Sequence, residues 1–492
     1  MTFSQLRALQ IPELLLRIFQ FSEPEDNCTN ACVCKTWSNE ALTILWRSVM
    51  FDVVLELLGP TTRRAVGDLI FVRCPEPADW SRFDRYAWRI HHLEVSWESY
   101  HPSVFQHIAS IRPRAEIFPN LETLDFDDDV GNIHLFTHAK LKSLTLQSSV
   151  NAGDCPHTKT ALLHLPLQTR HLDTLNLGYL LIPEEVAHSD LASILQGLPA
   201  LKTLWLPGDW LVPQIADALA WHPVLECLVS TTIHPAHATT WDVFSTSLNP
   251  HSFPSLKQLD IAVPFARAAL LLSQTHRPRH LVSFTLKCYW GEESVHSYAR
   301  FINVISSNYP KLESLSIHGN DAKQDPATLQ PMTFIELRPI TRLSGLTQLE
   351  LTHPLQLKLD PRHIIEIAKA LPAIEVLYLN DSPGISSVPN LTMSALVTLV
   401  SLCPKLDVLG IYVNACTPMP HVSDDATPAN LSILSVGRSP ITDPRPVAHF
   451  LESILPKACR LYSHMTQYDI EDRVHSRLWD LVKEMMHQTE ES

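Results

Sequence analysis

One short phrase, L-x-x-L-x-L or a close variant, returns along most of this chain and restricts what it can fold into. It begins at about Leu93 and is clear in Leu121–Phe126, Leu141–Leu146, Leu172–Leu177 and Leu201–Leu206. It recurs with leading residues Leu225, Leu256, Leu281, Leu312, Leu346, Ile374, Leu406 and Leu431. From Leu121 to Leu431 is 310 residues in eleven steps, a mean period of about 28. A second signal keeps the same period. Pro stands two residues before the leading apolar residue at Pro119, Pro199, Pro223, Pro254, Pro310, Pro372 and Pro404. Ahead of several of these runs a helical stripe: Leu191, Ile194, Leu195 and Leu198; Ile364, Ile367, Ala368 and Leu371; Leu396, Leu399, Val400 and Cys403. Pro ends each helix and biases the residue before it toward an extended form, so the chain passes into the next strand.

Helix, Pro and strand repeated about a dozen times predict an α/β solenoid. Its L-x-L residues would point into a continuous core, with helices on the convex side and parallel strands lining a concave sheet. The pattern resembles leucine-rich repeats of the irregular kind, and that resemblance implies a curved array. The polar residue that often follows the phrase is Asn only at Asn320 and Asn414. Residues 319–340, with Asp321, Lys323, Gln324, Asp325 and Pro326, read as a solvated insertion. Residues 415–429, with Pro418, Pro420, Ser423, Asp424 and Asp425, read as another.

The first fifty residues follow a different rule. Ile11–Phe19 predicts a short helix: Pro12 suits its first turn, and Leu15, Ile18 and Phe19 form one apolar face. Ser22 and Glu25 are spaced as a capping box opening a second helix that would run through Ala31 to about Cys34. A third would start near Thr36 and carry Trp37, Ala41, Leu45 and Trp46 toward one side. Helices this short cannot bury side chains as large as Phe19, Trp37 and Trp46 by themselves, which points to a partner that covers them.

The blocks Ile11–Phe19, Val33-Cys34-Lys35-Thr36-Trp37 and Leu45-Trp46-Arg47 resemble the F-box in order and spacing. The resemblance implies binding to the Skp-type adaptor of SCF (cullin–RING) ubiquitin ligases. Ile11, Pro12, Leu15, Ile18, Phe19, Val33, Trp37, Leu45 and Trp46 would then face the adaptor or support that face. After Asp26 the family usually has Leu, and this chain has Asn27. An F-box ahead of leucine-rich repeats is a combination common in fungal families. The expected organisation is an F-box over 1–50 and a linker and cap over 51–90, with Trp80, Phe83, Tyr86 and Trp88 packing on the first repeat. A solenoid of about 12–14 repeats over 91–465 and a C-terminal helix and tail over 466–492 complete it.

Composition narrows the function classes. A net charge of −14 without a Lys/Arg-rich run argues against nucleic acid. The longest apolar stretches, such as Ala268–Leu272, are far short of a membrane span, and MTFSQLRALQ does not read as a signal peptide. Ten scattered Cys suggest small core residues in a reducing compartment, cytoplasmic or nuclear. Cys28, Cys32 and Cys34 lack the C-x2-C spacing of zinc modules and read as buried helix cysteines. H-E-x-x-H, G-x-S-x-G and phosphate-loop motifs are all missing, and Gly numbers only 13, so neither catalysis nor a cofactor is expected. Asp127-Asp128-Asp129 reads as a solvated loop and His276–His280 as a turn.

The residues flanking L-x-L would face the concave surface. They are Thr123, Asp125 and Asp127; Thr174 and Asn176; Thr203 and Trp205; Asp260; Thr285 and Lys287; Ser314, Ser316 and His318; Glu350; Tyr378 and Asn380; Tyr412. Trp205, Lys287, Tyr378 and Tyr412 stand out as candidate contacts for a protein target, since aromatic residues dominate interface energetics, although they could equally cover neighbouring repeats. The function these features imply is a non-catalytic substrate receptor. The alternative is a repeat scaffold that plays no part in ubiquitin transfer.

Overall fold

The structure is a computed structural model that describes residues 11–64, 67–95, 100–147, 157–182, 186–231, 252–273, 278–289, 294–320, 330–384, 388–421, 430–463 and 470–488. The insertion residues Asp321–Pro326 and Ser423–Asp425 lie outside them. The chain divides into two compact units, Met1–Leu225 and Glu226–Ser492.

The first unit opens with three helices, α1 (Pro12–Phe19), α2 (Pro24–Asn30) and α3 (Lys35–Leu45). The strand β1 (Ser48–Met50) follows at once and pairs in parallel with β4 (His92–Val95). Between them β2 (Thr61–Arg63) and β3 (Leu69–Phe71) form an antiparallel pair, and helices run over Phe51–Leu58 and Pro77–Ala87. Parallel pairing continues through β5 (Thr123–Asp127), β6 (Ser143–Gln147), β7 (Thr174–Tyr179) and β8 (Thr203–Pro207). The second unit repeats the plan. Its strands β9 (Cys227–Thr231), β10 (Gln258–Ala262), β11 (Ser283–Tyr289), β12 (Ser314–Asn320) and β13 (Gln348–Leu351) pair in parallel in chain order. So do β14 (Val376–Leu379), β15 (Val408–Ile411), β16 (Ile433–Gly437) and β17 (Arg460–Ser463).

The phrase residues do what their period requires. Leu124 and Phe126, Leu144 and Leu146, and Leu204 and Leu206 are buried, while the residues between them are half-buried on the other sheet face. Backbone bonds stitch each repeat to the next in a recurring way: one carbonyl accepts from two successive N–H groups. Glu122 accepts from Lys142 and Ser143 at 2.8 and 3.0 Å, and Glu375 accepts from Asp407 and Val408 at 2.9 and 3.0 Å. The same stitch joins Arg47 to His91 and His92, both at 2.9 Å. The parallel sheet therefore begins with β1, ahead of the first leucine phrase. This strand lacks the leucine phrase, and the sequence places it at the end of the expected F-box, with 51–90 as linker and cap. Trp80 and Phe83 are buried as expected for a cap, with Phe83 5.5 Å from Phe118, whereas Trp88 is 43% exposed.

The polar position after the phrase is also filled differently. Thr352 Oγ1 accepts from Gly319 N at 2.9 Å, Asn380 Oδ1 from His353 N at 2.9 Å, and Ser439 Oγ from Val413 N at 2.9 Å. A hydroxyl or an amide thus satisfies a backbone donor of the preceding repeat, while Asn414 bonds within its own turn, to Cys416 N. Asn380 adopts φ +50°, a left-handed conformation that Asn tolerates.

His353, beside Asn380, is buried, and burial holds its imidazole down at about 4 despite the bond between its Nδ1 and Leu355 O, which favours the charged ring. The unfolded chain takes up this proton near 6.5 and the folded chain only near 4. Between those values the unfolded state binds more protons, so stability is full above pH 6.5 and falls as pH drops through the window. About 3 kcal/mol is at stake. His353→Asn, which keeps an acceptor for Leu355 N, is expected to flatten the loss measured by urea unfolding at pH 7 and pH 4.5. Equal losses in both proteins would refute the assignment.

Candidate functional site

The three N-terminal helices pack around Leu15, Phe19 and Ala41, with Ala31, Trp37 and Ile44 partly buried against them. Phe19 meets Trp37 edge to face, ring centroids 5.3 Å apart. Helix α1 is apolar on more than one side, so packing splits its large residues. Leu15 and Phe19 turn inward, while Ile11, Leu14 and Ile18 remain 43%, 45% and 48% exposed on one outward stripe. Phe21 (80% exposed) and Val33 (57%) are outward-facing as well. Pro12 is exposed at the first turn of α1, which needs no donor there. Leu14 and Phe21 do not figure in the sequence-derived set. A helical-wheel extension of Ile11 and Ile18 would have found Leu14 at the spacing between them.

Leu45 is half-buried, and Trp46 lies away from this stripe. Its ring packs against Tyr86, centroids 4.5 Å apart and planes tilted by 37°, tying the helices to the first repeat. The buried Arg89 strengthens that joint by donating to Asn39 Oδ1 at 2.7 Å and lying 4.2 Å over Trp88. Beyond the third helix, Phe51 enters the first repeats between Phe105 (5.8 Å) and Phe136 (5.4 Å).

Two local expectations are corrected. Helix α2 is capped at Glu23 without a side-chain bond, and Ser22 Oγ instead donates to Ile18 O at 3.4 Å, so the Ser22–Glu25 capping box does not form. Pro24 takes the first helical position, which has no N–H to cap. Cys28, Cys32 and Cys34 are exposed thiols, not buried ones. Helices this short have one packed face, and Leu15, Phe19 and Ala41 fill it. The departure at Asn27 has a structural reason. Its side chain is buried and donates to Phe19 O at 2.9 Å and Ser22 O at 3.4 Å, satisfying carbonyls at the end of α1. Asn27→Ala should cost about 1–3 kcal/mol. Hydrogen exchange localised to residues 12–45 checks this, and unchanged protection there would refute it.

On the sheets, Trp205 and Tyr378 are half-buried between core residues. Lys287 is held by Asp260, Nζ to Oδ2 3.1 Å, and Tyr412 is only 6% exposed. Tyr412 follows the end of β15, where Ile411, Tyr412 and Val413 are all buried, so strand alternation no longer places it on the open face. Asn176, Ser316 and Asn380 are buried too. Asp129 accepts from Gly131 N at 2.9 Å and caps a short turn, and burial pushes the Asp128 carboxyl up to about 6. Among the described residues, no helix is long and apolar enough to cross a membrane.

An outward apolar stripe on a small helical module, joined to stacked strand–helix repeats, defines a binding module carried on a repeat array. Residues 12–52 match the F-box-like family model, and the chain carries an F-box-like domain there, followed by an array of the leucine-rich-repeat kind. No curated protein matches the chain. Among solved structures, a crystal structure of a TLR13–ssRNA13 complex aligns at 16% identity with a TM-score of 0.35, over 79% of this chain and 58% of that one. The fold is read from the strand ladders described above.

Proposed function

We propose that this chain is the substrate-recognition subunit of an SCF-type (cullin–RING) ubiquitin ligase. The observation that carries the reading is the exposed stripe Ile11, Leu14 and Ile18 on a domain of the F-box-like family, a family whose members generally bind Skp-type adaptors. In this reading the repeats hold a protein target, and the chain acts without an active site of its own. Tethering raises the effective concentration of target lysines at the ubiquitin-carrying enzyme. The setting is the cytoplasm or nucleus, which suits exposed thiols such as Cys28, Cys32, Cys34, Cys74 and Cys416. Co-purification tests it: full-length chain should retain the Skp-type adaptor and its cullin, and some cellular protein should gain lifetime when the chain is depleted. Failure to retain the adaptor would overturn the reading. Retention with no change in any protein's turnover would make the chain a scaffold.

A further inference from the structure

On the open sheet face of the second unit, the last four strands differ from those before them. Along one row of paired residues Ser283, Ser314 and Gln348 give way to Val376, Val408 and Ile433, and the row ends at Arg460. Along the next row Thr285, Ser316 and Glu350 are followed by Tyr378, Gly410, Ser435 and Tyr462. Val376, Val408 and Ile433 are half-buried and Tyr462 is 47% exposed.

Two glycines shape this face. A Cβ on Gly410 would sit 2.0 Å from Tyr378 Cδ1, so the tyrosine ring lies against the bare backbone of the neighbouring strand. A Cβ on Gly437, at φ +50°, would sit 2.0 Å from Asp381 O. The segment after β14 thereby reaches β16. Arg438 N donates to Asp381 O at 3.1 Å, Arg438 Nη1 to Pro383 O at 2.6 Å and Gly384 O at 2.8 Å, and the Ser435 hydroxyl to the Asp381 carboxylate. Burial raises the Tyr378 hydroxyl above its ordinary value, and the carboxylates of Asp381 and Glu350 raise it further. Of the neighbouring cations, Arg438 and Lys287 are engaged away from the ring, whereas His318 and Arg460 border this face. Arg438 serves carbonyls, Lys287 holds Asp260, His318 Nε2 stands 3.7 Å from Glu350, and Arg460 pairs opposite Ile433 at the end strand.

We propose that this face takes a target segment in which a Lys or Arg adjoins an aliphatic residue. The cation lies over the Tyr378 ring near Glu350 and Asp381, and the aliphatic side chain rests on Val376, Val408 and Ile433. The inference names a class of target for the receptor reading and rests on it. Its test does not depend on the adaptor.

Full-length chain is titrated with a fluorescent peptide of alternating leucine and arginine, and with its leucine–glutamate counterpart. The basic peptide should bind about tenfold tighter. Tyr378→Ser should weaken it about tenfold, Tyr378→Phe should leave it within about twofold, and Glu350→Gln should weaken it severalfold. Asp125→Asn with Asp127→Asn in the first unit is the control for diffuse attraction to a chain of charge −14 and should change nothing. Equal loss in that control, or identical effects of Ser and Phe at Tyr378, would overturn the proposal. Adaptor retention is measured on the same samples. Its absence with peptide binding intact would sink the ligase reading and leave the peptide site standing.

Discussion

Replacing Leu14 and Ile18 together by Asp is expected to abolish retention of the Skp-type adaptor without lowering the melting temperature. Both side chains point outward, at 45% and 48% exposure, and the core of the module is made by Leu15, Phe19 and Ala41. A carboxylate at either outward position stays in water in the free protein, so the fold loses little. In a complex it would be desolvated against an apolar surface without a partner. Two such charges should weaken binding by about 100-fold or more, the scale of an interface hot spot. Phe19→Ala offers the contrast. It removes a fully buried ring and its edge contact with Trp37, which should cost about 3–5 kcal/mol and weaken binding only by unfolding the module. Pull-down and thermal melting on both variants separate the cases. Adaptor retained by Leu14→Asp/Ile18→Asp at wild-type level would remove the stripe from the interface.

The contrast also shows which parts of the molecule could be read from sequence. Leucines at fixed spacing report a buried strand face, because each repeat faces the same environment. The ladder from Leu124 to Leu434 was therefore legible. The exposed half of α1 was not. Ile11, Leu14, Leu15, Ile18 and Phe19 are all apolar, and only packing against α3 decides that Leu15 and Phe19 go inside. The intramolecular contact of Trp46 was hidden for a related reason. A large aromatic in a binding motif reads as a contact, yet its partner, Tyr86, is 40 residues away on a helix of the first repeat.

The Thr352, Asn380 and Ser439 bonds escaped because a hydroxyl and an amide satisfy the same donor, leaving no single letter to repeat, and strand β1 escaped because Ser48–Met50 lacks the leucine phrase. Tyr412 failed at the edge of the alternation rule, one residue past its strand. Tyr378 illustrates the opposite limit. Strand phase places it on the open face, but its position against Gly410 depends on a neighbour 32 residues away.

Trp479→Ala is expected to open the far end of the second unit. The helix Ile470–Gln488 packs on the helix Pro444–Ile454 and on β17, the last strand, whose own alternation leaves Arg460 and Tyr462 exposed. Trp479 is 1% exposed, and its Nε1 donates to Ser439 O at 2.8 Å; the hydroxyl of that same Ser439 satisfies Val413 N. Val482 is buried beside it in sequence, and Lys483 Nζ donates to Ser463 Oγ on β17 at 3.1 Å. Removing the indole leaves a cavity and an unsatisfied carbonyl, a loss of about 3–5 kcal/mol. Stacked repeats contact their neighbours, so the loss should be read locally. Hydrogen exchange is expected to quicken across β16, β17 and the closing helix and to stay unchanged in residues 12–95, with adaptor retention intact. Trp479→Phe, which refills most of the volume but cannot donate to Ser439, should recover more than half of the protection. Uniform quickening over both units would mean that the chain unfolds as one cooperative block and that the helix is no local cap.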